Sequence, residues 1–316
     1  MLYFLPNTVL GLLASSLLIL NILFWCTLLL GTALIKIALP FKPLRKVFDP
    51  IITKVAEAWV SCNSGWMKLT QNTKWDIEGL GKLDYKGWYL VNANHQSWVD
   101  ILILQRVFNG KIPLLKFFLK QELIRVPIMG LCWWALDFPF MKRYSREYLE
   151  KNPHMRGKDI ETTRIACEKF ALMPTSVMNF LEGTRFTQAK HDKQNSPYEH
   201  LLKPKAGGIA FALNAMGDKF QSLLNVTIVY PDGIPSFWDF LCGRIPNVIV
   251  RVHELPIPQE FIEKDYNEDT EFRAQFQQWT HELWLEKDSE INELLKASGS
   301  CNTPEQTSNT TDHAKV

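Results

Sequence analysis

The sequence has too few closely spaced cysteines to build a disulfide framework or a zinc site. Its six cysteines are scattered, and no two of them form a C-x-x-C pair. Structural zinc sites and small disulfide-bonded folds depend on such pairs, so a reducing compartment is expected. No metal site is predicted either from the histidines outside the central motif, which lack metal-ligand spacing: His154, His191, His200, His253 and His281.

Nucleotide-binding motifs and a strong net charge are also missing. The chain contains no G-x-G-x-x-G and no P-loop, the glycine-rich turns that hold nucleotide phosphates. Its formal net charge is only +2, too small for the field that nucleic-acid binding requires. No nucleic-acid partner is therefore predicted. The length of 316 residues is enough for one sizeable core with an appendage.

Charged side chains are absent before Lys36. The apolar stretch at residues 9–35 would form a helix roughly 40 Å long at about 1.5 Å per residue, against a hydrocarbon core of about 30 Å. It predicts a membrane anchor that either spans once with tilt or folds into a shallow hairpin around residues 15–16 or Asn21. A secretory signal is disfavoured because the positively charged n-region is missing.

Basic residues follow this stretch at Lys36, Lys42, Arg45 and Lys46. By the positive-inside rule they place the rest of the chain on the cytoplasmic side of an inner membrane. Residues 51–70 predict a second, amphipathic helix, which either lies at the interface or packs on the globular domain. Eleven Trp and nineteen Phe suit a protein that lies against lipid.

The remaining chain alternates strand and helix signals, which predicts an α/β domain with a mixed, largely parallel sheet. Strands are expected at 73–78 (an edge strand), 87–93, 114–119, 136–141, 176–181, 223–230 and 248–254, and helices at 98–104, 155–171 and 208–216. Residues 186–201 are expected to form a mobile polar loop. Phe272, Phe276, Trp279 and Leu283 mark an amphipathic C-terminal helix.

Four segments are predicted from these signals. Residues 1–72 would form the membrane anchor and interfacial helices, and 73–256 the catalytic domain. Residues 257–297 would form a C-terminal helical extension, and 298–316 a disordered tail rich in Ser, Thr and Asn.

The motif Asn-His-Gln-Ser-Trp-Val-Asp at residues 94–100 joins a predicted strand to a predicted helix. Such a junction is a usual place for chemistry in open α/β sheets. If the loop folds back, Asp100 can accept from one imidazole nitrogen of His95 and leave the other free to take a proton. The alternative is that His95 only caps the helix while Asp100 is a surface or capping carboxylate.

Together with three later blocks, this motif resembles the 1-acylglycerol-3-phosphate acyltransferase family of glycerolipid enzymes over roughly residues 75–255. The later blocks are Phe-Pro-Phe-Met-Lys-Arg at 138–143, Phe-Leu-Glu-Gly-Thr-Arg at 180–185 and Lys-Pro-Lys-Ala-Gly-Gly at 203–208. Phrases at 134–137 and 142–146 look closest to a bacterial probable-acyltransferase branch related to lysocardiolipin acyltransferases. One departure is the strand at 224–229, which lacks the proline usual in that family.

The resemblance implies a lysophospholipid acceptor, an acyl-CoA or acyl carrier protein thioester as co-substrate, and no metal or tightly bound cofactor. It assigns His95 and Asp100 to catalysis and the following residues to acceptor binding: Arg143, Glu182, Gly183, Thr184, Arg185, Lys205 and Gly207. Arg185 has the planar donor geometry that suits a phosphate. Glu182 is expected to orient that arginine or to contact the glycerol. For each arginine the alternative is an ordinary surface ion pair.

Several functional alternatives stay open at this point. Direct attack by the acceptor hydroxyl is favoured over an acyl-enzyme on Ser97, because three groups would have to converge within one short stretch. The acceptor is expected to be 1-acylglycerol 3-phosphate, with lysophosphatidylglycerol or lysocardiolipin as alternatives. A membrane-bound lipid or thioester hydrolase and a non-catalytic membrane adaptor are the other classes considered.

Overall fold

The computed structural model describes residues 1–2, 4–39, 42–138, 140–141, 173–262, 264, 266 and 269–299. The described helices are α1 (Asn7–Ala38), α2 (Lys42–Thr70), α3 (Val99–Phe108), α4 (Met129–Ala135), α5 (Gln188–Gln194), α6 (Gly207–Met216), α7 (Phe237–Leu241) and α8 (Thr270–Ala297). The described strands are β1 (Lys74–Glu78), β2 (Tyr89–Ala93), β3 (Leu115–Phe117), β4 (Leu119–Lys120), β5 (Phe140–Met141), β6 (Ser176–Phe180), β7 (Ser222–Val229) and β8 (Asn247–Leu255). Short 3-10 helices lie at Gln121–Arg125 and Gln259–Phe261.

Six strands form one sheet in the order β1-β8-β7-β2-β6-β3, and β4 pairs with β5 separately. Neighbouring strands of the large sheet run parallel, except for the antiparallel pair of β7 and β8. The prediction of a mixed, largely parallel sheet is therefore confirmed, as is the edge position of β1. The centre of the sheet is the parallel trio β7-β2-β6.

The sheet is covered on both faces, because alternate residues of a strand point to opposite sides. Tyr89, Val91 and Ala93 of β2 belong to a hydrophobic cluster with α3 and with the end of α2. Leu90 belongs instead to a cluster with α6 and with Trp284 of α8. The C-terminal helix predicted from its aromatic spacing is thus present, and it packs directly against the sheet.

Helix α1 is continuous from Asn7 to Ala38, so the predicted alternative of a hairpin inside this segment is wrong. The polar residues that favoured a break are satisfied within the helix pair. The Ser15 and Ser16 hydroxyls donate to carbonyls four residues earlier, and Asn21 Nδ2 donates to Asn63 Oδ1 of α2 at 2.7 Å. With a mean hydropathy of 2.3, α1 is long and apolar enough to cross a membrane.

The first turns of α1 and the last turns of α2 pack on the α/β domain. Ala14, Trp66 and Met67 are buried in the cluster that also contains α3. Gly11 faces Cys242 and the Trp238 ring of α7 so closely that a Cβ there would lie 2.6 Å from Cys242 Sγ. Of the two alternatives for residues 51–70, the structure therefore favours a helix packed on the globular domain.

Two local predictions differ from the structure. The strand expected at 136–141 is reduced to Phe140–Met141, because α4 and its closing turn occupy the preceding residues and Asp137 has a φ of 57°. The polar stretch at 186–201 contains helix α5, which Thr187 caps by accepting from the Lys190 N–H. The predicted helix at 155–171 and nearly all of the predicted tail lie outside the described residues.

Candidate active site

Three chain segments meet at one edge of the sheet, where β2, β6 and β7 end. These strands are adjacent and parallel, and Ala93 is in register with both Phe180 and Val226. Their carboxyl ends therefore emerge side by side, which is where open α/β sheets bind ligands. His95 follows β2 by two residues, and Glu182 follows β6 by the same distance.

Asn94 fixes the chain immediately before the histidine. Its side-chain amide donates to the Ile228 carbonyl at 2.9 Å, and its Oδ1 accepts from the Ile228 N–H at 2.8 Å. The side chain thus copies the backbone pairing of a strand and extends the contact between β2 and β7 by one residue. No role was predicted for Asn94 from the sequence.

His95 is held through its backbone and through its ring. Its N–H donates to Glu182 Oε1 at 2.8 Å, and its carbonyl accepts from the Phe186 N–H at 2.7 Å. The ring stacks on Phe180 with centroids 3.9 Å apart and planes 12° from parallel. Nδ1 lies 2.8 Å from Asp100 Oδ2. The imidazole therefore has a single, well-fixed orientation.

Asp100 is fully buried and accepts from four donors. Oδ2 accepts from His95 Nδ1 and from the N–H groups of Gln96 and Ser97 at 2.7 and 2.9 Å. Oδ1 accepts from the Tyr230 hydroxyl at 2.5 Å. These donors compensate for the loss of hydration on burial. Asp100 is 0% exposed, so it is not the surface carboxylate of the alternative interpretation.

The second ring nitrogen of His95 is available for a proton. A carboxylate only accepts hydrogen bonds, so Nδ1 carries the proton and Nε2 keeps its lone pair. Nε2 makes no hydrogen bond with any residue that the structure describes, and the side chain keeps 11% of its surface exposed. The arrangement can accept a proton at Nε2 and stabilise the resulting imidazolium through Asp100.

Tyr230 is a site residue that the sequence analysis missed. Burial, together with the neighbouring Asp100 charge, raises the pKa of Tyr230 well above its usual value, so the phenol remains a donor. The only signal in the sequence was its place as the last residue of the predicted strand 223–230. That position places Tyr230 at the carboxyl end of a strand, but the sequence does not reveal that this strand, β7, lies beside β2.

Ser97 lies beside the histidine without facing it as a nucleophile. Its hydroxyl donates to the Pro235 carbonyl at 2.7 Å and accepts from the Val99 N–H at 3.3 Å. A serine that donates to a carbonyl is not hydrogen-bonded to a general base. The geometry therefore favours the direct route over an acyl-enzyme on Ser97.

Glu182 has a different environment from the one expected. Its side chain is 0% exposed, with Oε1 accepting from the His95 N–H and Oε2 from the Leu202 N–H at 3.0 Å. Both oxygens hold backbone groups, rather than orienting Arg185 or facing a glycerol. Burial raises the pKa of Glu182 to about 8, against the opposing effect of the two N–H donors. The Glu182 side chain thus links the loop that carries His95 to the loop that carries Leu202.

Lys287 of α8 is buried against the sheet. Its Nζ donates to the Val226 carbonyl at 2.6 Å and to Thr227 Oγ1 at 3.1 Å, both within β7. Burial lowers the pKa of Lys287 to about 7, while nearby Glu290 and Glu182 raise it. The C-terminal helix therefore contributes a group to the support of the site.

The turn after Glu182 presents Arg185 next to the histidine loop. Gly183 has a φ of 66°, a left-handed conformation that glycine adopts without strain. The Arg185 guanidinium lies 4.5 Å above the exposed ring of Trp98. Lys190 reaches back from α5 and donates to Thr184 Oγ1 at 2.8 Å.

The remaining predicted acceptor residues lie elsewhere. Lys205 and Gly207 line a cavity of about 500 Å³ together with Tyr198 and His281, at the start of α6. Neither His95 nor Arg185 lines this cavity, although the Lys205 N–H donates to the Leu181 carbonyl at 2.7 Å. The structure therefore places these two residues at this cavity. Arg143 lies outside the described residues.

Two known acyltransferases are similar in sequence to this chain. The 1-acyl-sn-glycerol-3-phosphate acyltransferase gamma of Mus musculus is 26% identical over 256 residues, covering 76% of this chain and 60% of that protein. The 2-acyl-1-lysophosphatidylinositol acyltransferase of Saccharomyces cerevisiae is 22% identical over 273 residues, covering 71% of this chain and 66% of that protein. The chain thus spans about 60% of the length of the mouse relative.

The fold has a solved counterpart. The crystal structure of the 1-acyl-sn-glycerophosphate acyltransferase PlsC from Thermotoga maritima superposes with a TM-score of 0.51 at 17% identity, covering 88% of this chain and 95% of that one. At this identity the likeness concerns the fold. A family model described as Acyltransferase matches residues 74–231, half of the chain and the stretch that holds His95, Asp100 and Arg185. The chain therefore belongs to the acyltransferase family.

Proposed function

We propose that this protein transfers a fatty acyl group from an acyl thioester to the free hydroxyl of a lysophospholipid. The acceptor would be 1-acylglycerol 3-phosphate and the product phosphatidic acid. The observation that carries the proposal is the His95–Asp100 contact of 2.8 Å with Nε2 left available. The proposal is further supported by the position of Arg185. This residue lies on the adjoining loop, where the next residue, Phe186, donates its N–H to the His95 carbonyl.

In the proposed reaction, Nε2 of His95 removes the proton from the acceptor hydroxyl as its oxygen attacks the thioester carbonyl. Asp100 orients the ring and stabilises the imidazolium. The tetrahedral intermediate then expels the thiolate, which takes the proton back from the imidazolium to leave as a thiol. One positioned general base of this kind contributes about 10²–10⁴-fold to the rate.

The acceptor phosphate would be bound by Arg185, whose planar donors suit a phosphate. Gly183 and Thr184 would shape the turn that carries it, and Arg143 would add a further headgroup contact. The rim residues Lys205 and Gly207 would act at the cavity beside α6. The donor would be acyl-CoA or an acyl carrier protein thioester, with no metal or bound cofactor.

We further propose an inner-membrane location with the catalytic domain on the cytoplasmic side. Helix α1 supplies the apolar surface, and Lys36 in its last turn supplies the orientation signal. Residues 1–72 would serve as the anchor, 73–256 as the catalytic domain, 257–297 as a C-terminal extension and 298–316 as the tail. The anchor keeps the site at the surface where a lysolipid resides.

One experiment tests the proposed reaction. The detergent-solubilised full chain is supplied with acyl-CoA or acyl carrier protein thioester and a panel of lysolipids, beside His95→Ala. Transfer to lysophosphatidic acid that falls by about 10²–10⁴-fold in the variant is the expected outcome. Equal transfer by a folded His95→Ala protein would contradict the proposal. Near-normal turnover of Ser97→Ala would exclude an acyl-enzyme.

The same panel decides between headgroups and between reaction classes. A preference for lysophosphatidylglycerol or lysocardiolipin would place the chain with the bacterial branch related to lysocardiolipin acyltransferases. The yeast relative, named for a lysophosphatidylinositol, is an example of a different headgroup in related chains. Release of free fatty acid that needs no acceptor would indicate a hydrolase instead.

A further inference from the structure

Two cationic side chains lie beside the histidine loop without a carboxylate partner among the described residues: Arg185 on the turn after Glu182, and Lys190 in the first turn of α5. Among the described residues, neither Arg185 nor Lys190 makes an ion pair with Asp or Glu. The Arg185 guanidinium is held over Trp98. The Lys190 ammonium donates to Thr184 Oγ1 at 2.8 Å and to the Arg185 carbonyl at 2.9 Å. The turn and the adjoining start of α5 therefore carry two positive charges that no described carboxylate compensates.

The carboxylates of the surrounding elements are committed to other partners. Asp100 and Glu182 are both 0% exposed and accept from the donors already described. On α5, Asp192 Oδ1 accepts from Gln188 Nε2 at 2.8 Å and lies 3.3 Å from His191 Nδ1. None of these carboxylates pairs with the Lys190 ammonium, so its charge is available to an external anion.

Lys190 is also positioned for such an anion. An ammonium has three N–H donors, and the two contacts with Thr184 and the Arg185 carbonyl account for two of them. The lysine is held in place by the first turn of α5, where its N–H donates to the Thr187 cap. The third donor and the charge remain beside the Arg185 backbone carbonyl, and the Arg185 guanidinium adds a planar pair of N–H donors from the same turn.

We propose that Lys190 is a second phosphate-binding cation of the acceptor site, and that the pair with Arg185 selects a terminal phosphate monoester over a phosphodiester headgroup. The inference rests on the proposed function in taking the acceptor to be a lysolipid. A phosphate monoester carries close to two negative charges at pH 7 and above, because its second pKa is about 6. A phosphodiester carries one charge and matches only one of the two cations.

The test measures binding to the full-length, detergent-solubilised chain without any thioester. The probes are hexyl phosphate, a monoester, and methyl hexyl phosphate, a diester, titrated calorimetrically at pH 7.5. The wild-type protein is expected to bind the monoester at least 10-fold more tightly. Lys190→Gln should raise the monoester Kd about 5–10-fold and leave the diester Kd within twofold, whereas Lys190→Arg should retain the preference.

Lys193→Gln is the matched control, since Lys193 is an exposed lysine of the same short helix. It should leave both dissociation constants unchanged. At pH 5, where the monoester carries a single charge, the preference of the wild-type protein should shrink toward that of Lys190→Gln.

Two outcomes would overturn the inference. Equal weakening of both probes by Lys190→Gln would mean that the lysine only holds the loop, and no weakening would mean that it does not reach the phosphate. Failure of the proposed function is distinguishable from both. A chain that discriminates the probes but transfers no acyl group contains the phosphate site without the proposed reaction.

Discussion

The hydroxyl of Tyr230 is one of the four donors to the Asp100 carboxylate among the residues that the structure describes. Tyr230→Phe removes the 2.5 Å bond to Asp100 Oδ1 and leaves a buried charged oxygen without its partner. We expect kcat to fall about 10-fold with both KM values unchanged, and stability to fall by about 1–3 kcal/mol. Steady-state kinetics and thermal unfolding measure the two effects.

Tyr85→Phe is the control for this substitution. The Tyr85 hydroxyl bonds Glu57 and Lys54 on the surface of α2, so its removal should leave kcat unchanged. A Tyr230→Phe protein with wild-type kcat would show that the other three donors suffice to hold Asp100.

The free energy of unfolding should depend on pH because of Lys287. Burial lowers its pKa from 10.5 to about 7, so the unfolded chain binds the proton more tightly than the folded one. Lys287 therefore contributes its full share to the free energy of unfolding when the pH is above its pKa in the unfolded chain. That share is lost as the pH falls through its pKa in the folded protein. The wild-type protein should therefore lose stability relative to Lys287→Met as the pH is lowered from 10 to 7.

Thermal unfolding of the solubilised proteins across that range measures the difference in Tm. It should change by on the order of 5–10 °C. Lys296→Met removes an exposed lysine of the same helix and should show no such trend. A constant difference between wild type and Lys287→Met would mean that the folded-state pKa is not lowered.

At the scale of single residues, the sequence predicted what lies close along the chain. His95 and Asp100 are five residues apart, so a strand end, a short loop and a helix were enough to place them within reach. Tyr230 is 130 residues from Asp100, and only the adjacency of β7 and β2 brings them together. Glu182 was misjudged for the same reason, since its partners His95 and Leu202 come from two separate loops.

Helix α1 contains two glycines whose surroundings differ in a useful way. A Cβ on Gly11 would lie 2.6 Å from Cys242 Sγ and 3.0 Å from the Trp238 ring, whereas one on Gly31 would meet nothing within 4 Å. Gly11→Ala should cost about 1–3 kcal/mol through this collision. Gly31→Ala should instead gain up to about 1 kcal/mol in helix propensity.

Thermal unfolding of the two variants, made in the same helix, isolates the docking contact from the general effect of removing a glycine. Equal shifts in Tm would contradict the close packing of α1 on α7. A lower Tm for Gly11→Ala alone would mean that the first turns of α1 are part of the folded domain.

At the scale of elements, hydrophobic periodicity predicted the long helices and the central strands and failed where polar groups have unexpected partners. Ser15 and Ser16 look like break points, but their hydroxyls bond carbonyls inside α1. Helix α5 is polar and short, so periodicity does not reveal it. Thr187, three residues before the bonded Lys190 N–H, was a local capping signal that could have identified it.

The whole molecule presents one long apolar surface to its surroundings. The exposed large hydrophobic residues of α1 are Val9, Leu12, Ile19, Leu20, Leu23, Phe24, Leu28, Leu34, Ile35 and Ile37. A monomeric soluble protein rarely exposes a continuous apolar strip of this extent. The exposed apolar side of α1 is therefore the surface through which the expected membrane association would occur.

Leu20→Glu places a charge on this strip, where the side chain is 63% exposed. We expect weaker co-flotation with phospholipid vesicles, because a carboxylate resists transfer into the bilayer, and unchanged activity in detergent. Leu285→Glu changes an exposed leucine on α8 (45% exposed) and should float as the wild type does. Equal loss of flotation in both variants would contradict an anchor in α1.

The hydrogen bond between Asn21 and Asn63 locks the register of α1 against α2, and the Leu2 N–H bonds the Leu69 carbonyl at their shared end. Neither helix can slide past the other without breaking these contacts. If α1 anchors the chain in a bilayer as proposed, this helix pair would set the distance between the membrane and the His95 imidazole. A change in bilayer thickness would then alter turnover without changing any side chain that surrounds His95.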